Sequence, residues 1–176
     1  GLEKEFQMDF VASRTRPSSV FSGHSFMVEA AIGYGGRLPA EGNAILLRFA
    51  NRVPLMYQQG ACAITSCIAS VNWKSYNISQ QGLPIGPVII LVHVASTNVP
   101  FTSESKEAVA AYPEIVREIR LALQECGRRL GQHIRRGHRE ADERKKHDYI
   151  ASYIPHIGEA LREILGISPQ REKAIV

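Results

Sequence analysis

The chain has no run of eighteen or more apolar residues, and its opening GLEKEFQMDF lacks a charged-then-apolar build. Neither a membrane-spanning helix nor a secretory signal is therefore expected, and the sequence reads as soluble and cytoplasmic. Cysteine is scarce. Cys62, Cys67 and Cys126 are odd in number and fall in segments that read as helix, which argues against a disulfide framework or a zinc quartet and for buried, reduced thiols. The glycine-dense GYGG at 33–36 is followed by no GK[ST] and lies in no strand-to-helix transition, so it reads as a turn rather than a phosphate cradle. His93 has no second ligand at metal spacing and reads as a satisfied core histidine, and no metal site is expected. No acid/base pair or nucleophile constellation stands out.

What the sequence does contain is enough apolar material, 44% of 176 residues, for one ordinary core. The net charge of +4 permits nucleic acid as a partner without requiring it. That charge sits late. RRLGQHIRRGHREADERKKH, from Arg128 to His147, carries eight arginines and lysines against Glu140, Asp142 and Glu143, whereas the charges before it nearly cancel.

DFVASRT, HSFMVEAAIGYGG and NAILLRFANRVP read as three strands bounded by Gly, Pro or Asn, with 33–43 as a hairpin-type loop between the second and third. In Gln58–Tyr76, Ala61, Ile64, Cys67, Ile68 and Val71 recur at helical spacing and predict a helix packed on the sheet. The apolar run Val88–Val94 predicts a central strand buried on both faces. The order gives an α+β fold with a single sheet.

Pro113 suits a first helical turn, and Glu114 suits the positive end of the helix dipole. Ile115, Ile119, Ala122, Cys126, Leu130 and Ile134 then form one apolar stripe, after which Arg135–Asp148 offers nothing apolar larger than Ala141. A helix continuing to about Lys146 would be roughly 50 Å long at about 1.5 Å per residue, so it should protrude. Gly127, Gly131 and Gly137 oppose it, each costing up to about 1 kcal/mol relative to alanine, and a break near Gly137 is the main alternative. A second stripe follows in Ile150, Tyr153, Ile154, Ile157, Leu161, Ile164 and Leu165, with Pro155 marking a kink or new start and Gly166 the stop. It calls for cover, either by folding back on the shaft or by another protein.

Four blocks, TRPSSVFSGHSFMVEAAIGYGG, RFANRVPLMYQQGACAI, NWKSYNISQQGLPIGPVIILVHVAS and VPFTSESKEAVA, resemble the transducer domain of the B subunit of topoisomerase VI, the archaeal type IIB DNA topoisomerase of the GHKL ATPase superfamily. The resemblance runs from Phe10 to about Leu165. It implies a four-stranded sheet with helices on one face, like the second domain of a small-subunit ribosomal protein, with a left-handed strand-helix-strand crossover and a long C-terminal helix. The implied division is a core at 1–112, a lever helix at 113–148 and an amphipathic helix and tail at 149–176.

Within VPFTSESKEAVA the resemblance makes Lys106 the switch lysine, which reaches the γ-phosphate of ATP held in a neighbouring ATPase domain. Taken alone, Lys106 reads as a solvated lysine at the start of a helix, among the small polar Thr102, Ser103 and Ser105. The resemblance further implies ATP and Mg2+ in the intact protein, held by an ATPase domain outside this fragment, and none in the fragment, which alone should be inactive. The implied partners are double-stranded DNA, the A subunit of the same enzyme and a second B subunit, with no membrane and a nucleoid-associated place. Candidate DNA contacts are Arg128, Arg129, Arg135, Arg136, Arg139, Lys145 and Lys146, against a solvated surface with i, i+4 pairs such as Glu140 to Arg144. For docking on the A subunit the candidates are Ile150, Tyr153, Ile154, Ile157, Leu161 and Leu165. The competing function is an RNA-binding or ribosome-associated module of the same fold, which would want exposed aromatics on the strands. A metabolic kinase half is a third reading, and it would need a glycine-rich loop where RVPLMYQQGACA stands.

Overall fold

Alternation of apolar side chains builds the sheet. The computed structural model describes residues 6–165. Strands β1 (Phe10–Thr15), β2 (Ser19–Phe21), β3 (His24–Tyr34), β4 (Ile45–Ala50), β5 (Val53–Pro54) and β8 (Val88–Ser96) form one sheet in the order β1-β3-β8-β4-β5, with β2 also paired to β3. Strands β6 (Ser79–Gln81) and β7 (Leu83–Ile85) make a separate hairpin. The sheet thus has six strands rather than four. The four long ones are those expected, and the two extra are short arms of tight hairpins. In each hairpin both turn residues have positive φ, Ser22 and Gly23 in one and Asn51 and Arg52 in the other, the geometry that matches strand twist.

Strand β8 pairs antiparallel with β3 and parallel with β4. The 33–43 loop therefore does not close a hairpin, because β8 lies between the strands it joins. The GYGG turn itself is as expected: Gly35 and Gly36 adopt φ of 78° and 62° directly after β3, and no helix follows them closely. The parallel connection from β4 to β8 runs through helix α1 (Ala63–Ser70). This helix is shorter than the expected Gln58–Tyr76. Single 3-10 turns at Gln59–Ala61 and Trp73–Tyr76 flank it, since Gln58 is left-handed and Val71 extended. Ala61 is accordingly exposed, and Cys62 and Ala63 join Ile64, Cys67, Ile68 and Val71 in the core.

Helix α2 (Pro113–Leu165) is continuous through Gly127, Gly131, Gly137 and Pro155. The expected stop at Gly166 lies outside the described residues. The chain divides into two units, Gly1–Ile134 and Arg135–Val176. In the first, Ile115, Ile119, Ala122, Leu123, Cys126, Leu130 and Ile134 are all buried in a single core with Val28, Ile32, Ile90, Val92 and Trp73. Gly127 faces the Tyr76 ring so closely that a Cβ there would lie 2.6 Å from it, which explains a residue that propensity alone disfavours. Strand β8 buries Val88, Ile90, Val92 and Val94 on one face; on the other Ile89 is buried but Leu91 and His93 are half-covered, so the expected burial on both faces is complete only at the start of the strand. His93 is satisfied, as expected: its Nε2 accepts the Arg52 N–H at 3.0 Å, which leaves Nδ1 to donate to Glu29 at 2.8 Å. All three cysteines are free and buried.

Candidate functional site: the Val99–Ala111 loop

The loop that carries Lys106 leaves β8 and is pinned at its base. Phe101 and Val109 form an antiparallel bridge, the Thr102 N–H donates to Ala108 O at 2.9 Å and the Ala110 N–H to Pro100 O at 2.8 Å. Ala108 and Val109 have no exposed surface. Above this base, the Lys106 N–H donates to Ser103 O at 3.2 Å, closing a turn in which the Ser103 and Ser105 hydroxyls lie 2.7 Å apart.

Lys106 is not at a helix start. It sits in the left-handed region at φ 55°, and the next helix begins only at Pro113. A side chain with a Cβ is disfavoured there by about 1–2 kcal/mol, so the fold holds this backbone against local preference. Its side chain is exposed and, among the described residues, makes no ion pair. An ammonium of this kind has three donors free for an arriving anion.

Between Lys106 and the helix the connection is short and partly buried. Buried Ala108 and Val109 lead to Tyr112, whose ring packs 4.1 Å from that of Phe21. The Tyr112 carbonyl accepts the Val116 N–H at 2.9 Å, inside the first turn of α2. On the other side, the Ala63 N–H at the start of α1 donates to Val109 O at 2.9 Å. The loop is thus bonded to the start of α1 and runs directly into the first turn of α2.

The other sequence-predicted residues divide between the two units. Arg128 and Arg129 are exposed in the first, with Arg129 donating to Ser13 O at 3.2 Å. Arg135, Arg136, Arg139, Lys145 and Lys146 are exposed in the second, where Glu140 accepts from Arg136 Nε at 2.8 Å. In that unit Ile150, Tyr153, Ile154 and Ile157 are exposed, and the Tyr149 and Tyr153 rings lie 4.7 Å apart. The side chains of Leu161 and Leu165 lie outside those described. Among the described residues no strand carries an exposed aromatic side chain, so a base-stacking sheet surface is missing there. A cavity of about 440 Å³, lined by Lys74, Gln80, Gln81, Ile85 and their neighbours, involves no residue of the Val99–Ala111 loop. Among the described residues, no helix is long and apolar enough to cross a membrane.

Sequence reasoning missed Gln58, whose Nε2 donates to Ser105 Oγ at 3.4 Å, and Arg48, 4% exposed on β4, whose Nη2 donates to Leu55 O and Tyr57 O at 2.8 and 3.0 Å. A charged residue within the apolar segment NAILLRFA was the available signal.

The family model described as the transducer of the topoisomerase VI B subunit matches residues 1–146. The chain is 49% identical over 167 residues to the B subunit of type 2 DNA topoisomerase 6 from Methanococcoides burtonii, covering 94% of this chain and 27% of that protein. Against the protein of the same name from Archaeoglobus fulgidus it is 50% identical, covering 99% of this chain and 29% of that one. It overlaps the crystal structure of the DNA gyrase B subunit from Myxococcus xanthus at a TM-score of 0.45 and 18% identity, over 70% of this chain and 35% of that one. The chain spans under a third of the length of the curated relatives it matches, and it belongs to the transducer family of the topoisomerase VI B subunit.

Proposed function

We propose that this chain is the part of a topoisomerase VI B subunit that couples ATP binding and hydrolysis in an adjacent ATPase domain to double-strand DNA cleavage and strand passage by the A subunit. The observation that carries the reading is an exposed, unpaired Lys106 on a strained turn, anchored in the core and joined to a helix by a short connector. Bound ATP, with its Mg2+, supplies a terminal phosphate whose charge is present before hydrolysis and gone after it. The residues here fit such a visitor at one point: Lys106 can donate to it, and the small Ser103 and Ser105 leave room beside the ammonium. A charged hydrogen bond of this kind is worth about 1.5–3 kcal/mol, enough to bias a domain orientation by a decade or two.

Lys106 holds the turn toward the phosphate, and the turn pulls on the start of α2. Within that helix, residues 113–148 serve as the lever, and the stripe of Ile150, Tyr153, Ile154 and Ile157 docks on the A subunit. The closed state takes a second B subunit. The exposed arginines and lysines of 128–146 touch phosphates of duplex DNA without reading bases. Alone, the chain neither hydrolyses ATP nor cleaves DNA.

The deciding experiment is Lys106→Ala in the intact heterotetramer, with ATP turnover and strand passage measured together. Loss of both is expected; unchanged rates would remove the reading.

A further inference from the structure

We infer that Arg48 and Gln58 are positioning residues for Lys106, an inference that rests on the reading of Lys106 given above. Strands β4 and β8 are parallel neighbours, so the chain leaves both at the same end of the sheet. There the Leu55–Gln58 segment meets the loop that carries Lys106.

Arg48 lies opposite Val92 in the register, buried, with no ion pair to a carboxylate among the described residues and with its Nη1 lacking any hydrogen-bond partner. Burying an uncompensated guanidinium is costly, and apolar replacements of buried charges are often neutral or stabilising. Stability alone therefore does not account for it. Its two bonds go to the carbonyls of Leu55 and Tyr57, and they fix the main chain of a segment in which Met56 and Tyr57 expose most of their side chains. The Leu55 end of the segment is also held by its buried side chain and by its N–H, which donates to the Arg48 carbonyl at 2.8 Å; at the exposed Tyr57 the guanidinium holds the carbonyl directly.

The next residue is Gln58, itself left-handed at φ 50°. Its carboxamide donates to Ser105 Oγ, which lies 2.7 Å from Ser103 Oγ, and the Ser103 carbonyl in turn accepts the Lys106 N–H. Two strained residues, Gln58 and Lys106, thus lie at the two ends of one hydrogen-bonded path, with a buried cation clamping its root. Such a path sets where the lysine points before any anion arrives, and neither Arg48 nor Gln58 needs to touch the nucleotide.

The test is a double-mutant cycle in the intact heterotetramer, measuring ATP turnover. Gln58→Ala and Ser105→Ala should each lower kcat about three- to tenfold, as loss of one neutral hydrogen bond would, with KM unchanged. The double variant should be no worse than either single, because both break the same link. Ser105→Thr, which keeps the hydroxyl, should retain the rate. Arg48→Lys, which keeps charge but not the two-carbonyl fork, should lower kcat likewise; if it does not fold, the Gln58 and Ser105 cycle decides alone. Additive losses, a KM effect with kcat intact, or an unaffected Gln58→Ala beside an impaired Lys106→Ala would overturn the positioning role and leave Lys106 standing. An unaffected Lys106→Ala would instead overturn the function on which the inference rests.

Discussion

Replacing Lys106 by glycine separates its backbone from its ammonium. At φ 55° the native residue bears the left-handed cost of a Cβ, about 1–2 kcal/mol. Glycine removes that cost but loses about 0.5–1 kcal/mol through its freer unfolded state. The net is a gain of roughly 0.5–1 kcal/mol, or a rise in Tm of about 1–4 °C for a chain of this size. Lys106→Ala keeps the Cβ and should change stability by less than about 0.5 kcal/mol, since the ammonium is exposed and unpaired. Both variants lose the charged hydrogen bond to phosphate, so ATP turnover in the intact heterotetramer should fall equally in the two, by about 10- to 150-fold. Urea unfolding and steady-state turnover on the same preparations give both numbers. A glycine variant less stable than the parent would refute the strain argument. A glycine variant that turns over ATP normally would refute the functional one.

The helix glycines should diverge. Gly127→Ala gains about 1 kcal/mol of helix propensity but drives a Cβ to 2.6 Å from the Tyr76 ring, and overpacking of about 1–3 kcal/mol makes it a net loss in urea unfolding. Gly137→Ala meets nothing within 4 Å and should gain about 0.5–1 kcal/mol; equal effects at the two sites would contradict the packing described. Burial pushes the Cys67 and Cys126 thiols up to about 11 from 9.0. Between those values the unfolded state releases protons that the folded state keeps, so their stabilising contribution is whole below pH 9 and drains away as pH rises toward 11. Cys67→Ala with Cys126→Ala should flatten that part of a stability-against-pH curve, and an unchanged slope would count against it. Truncation before Tyr149 in the full-length protein should abolish its association with the A subunit while leaving the core folded, as pull-down and circular dichroism would report. Duplex binding by this chain should weaken log-linearly with salt; no binding at low salt would remove the DNA role for the basic stretch in isolation.

Much of the fold is legible because it rests on long periodic patterns. The stripe from Ile115 to Ile134 repeats every three or four residues, and every member expected to be buried is buried. Strands β3, β4 and β8 are legible for a related reason, since each is largely apolar over at least six residues, whereas β1, FVASRT, is apolar only over its first three. Order within the sheet is not. Nothing in 33–43 says whether the chain returns beside β3 or skips a place, because that choice depends on β8, which follows only after α1 and the β6–β7 hairpin. Of the two tight hairpins, that at Ser22–Gly23 carries a glycine, whereas in the other Asn51 is a turn residue but Arg52, also at positive φ, is not, and its N–H is accepted by the distant His93.

The site shows the same division between local and distant causes. Lys106 is conspicuous as a cation among small residues, yet its left-handed backbone and the absence of a helix after it could not be read from TSESKEAVA, a string that permits a helix. What prevents one lies mostly outside that string. Val109 is taken by a bridge to Phe101 across the same loop and by the N–H of Ala63 at the start of α1, so the segment spends its hydrogen bonds on these partners rather than on an i to i−4 ladder of its own. Under the function proposed above, the same competition is what lets the loop relay force. A lysine on a helix is joined to its own helix alone, whereas this lysine sits on a loop bonded to the start of α1 at 2.9 Å and continuous with the first turn of α2. The bridge that pins the turn lies within residues 99–111, whereas the link to α1 is made by Ala63, so a sequence window that omits residue 63 contains only part of the site.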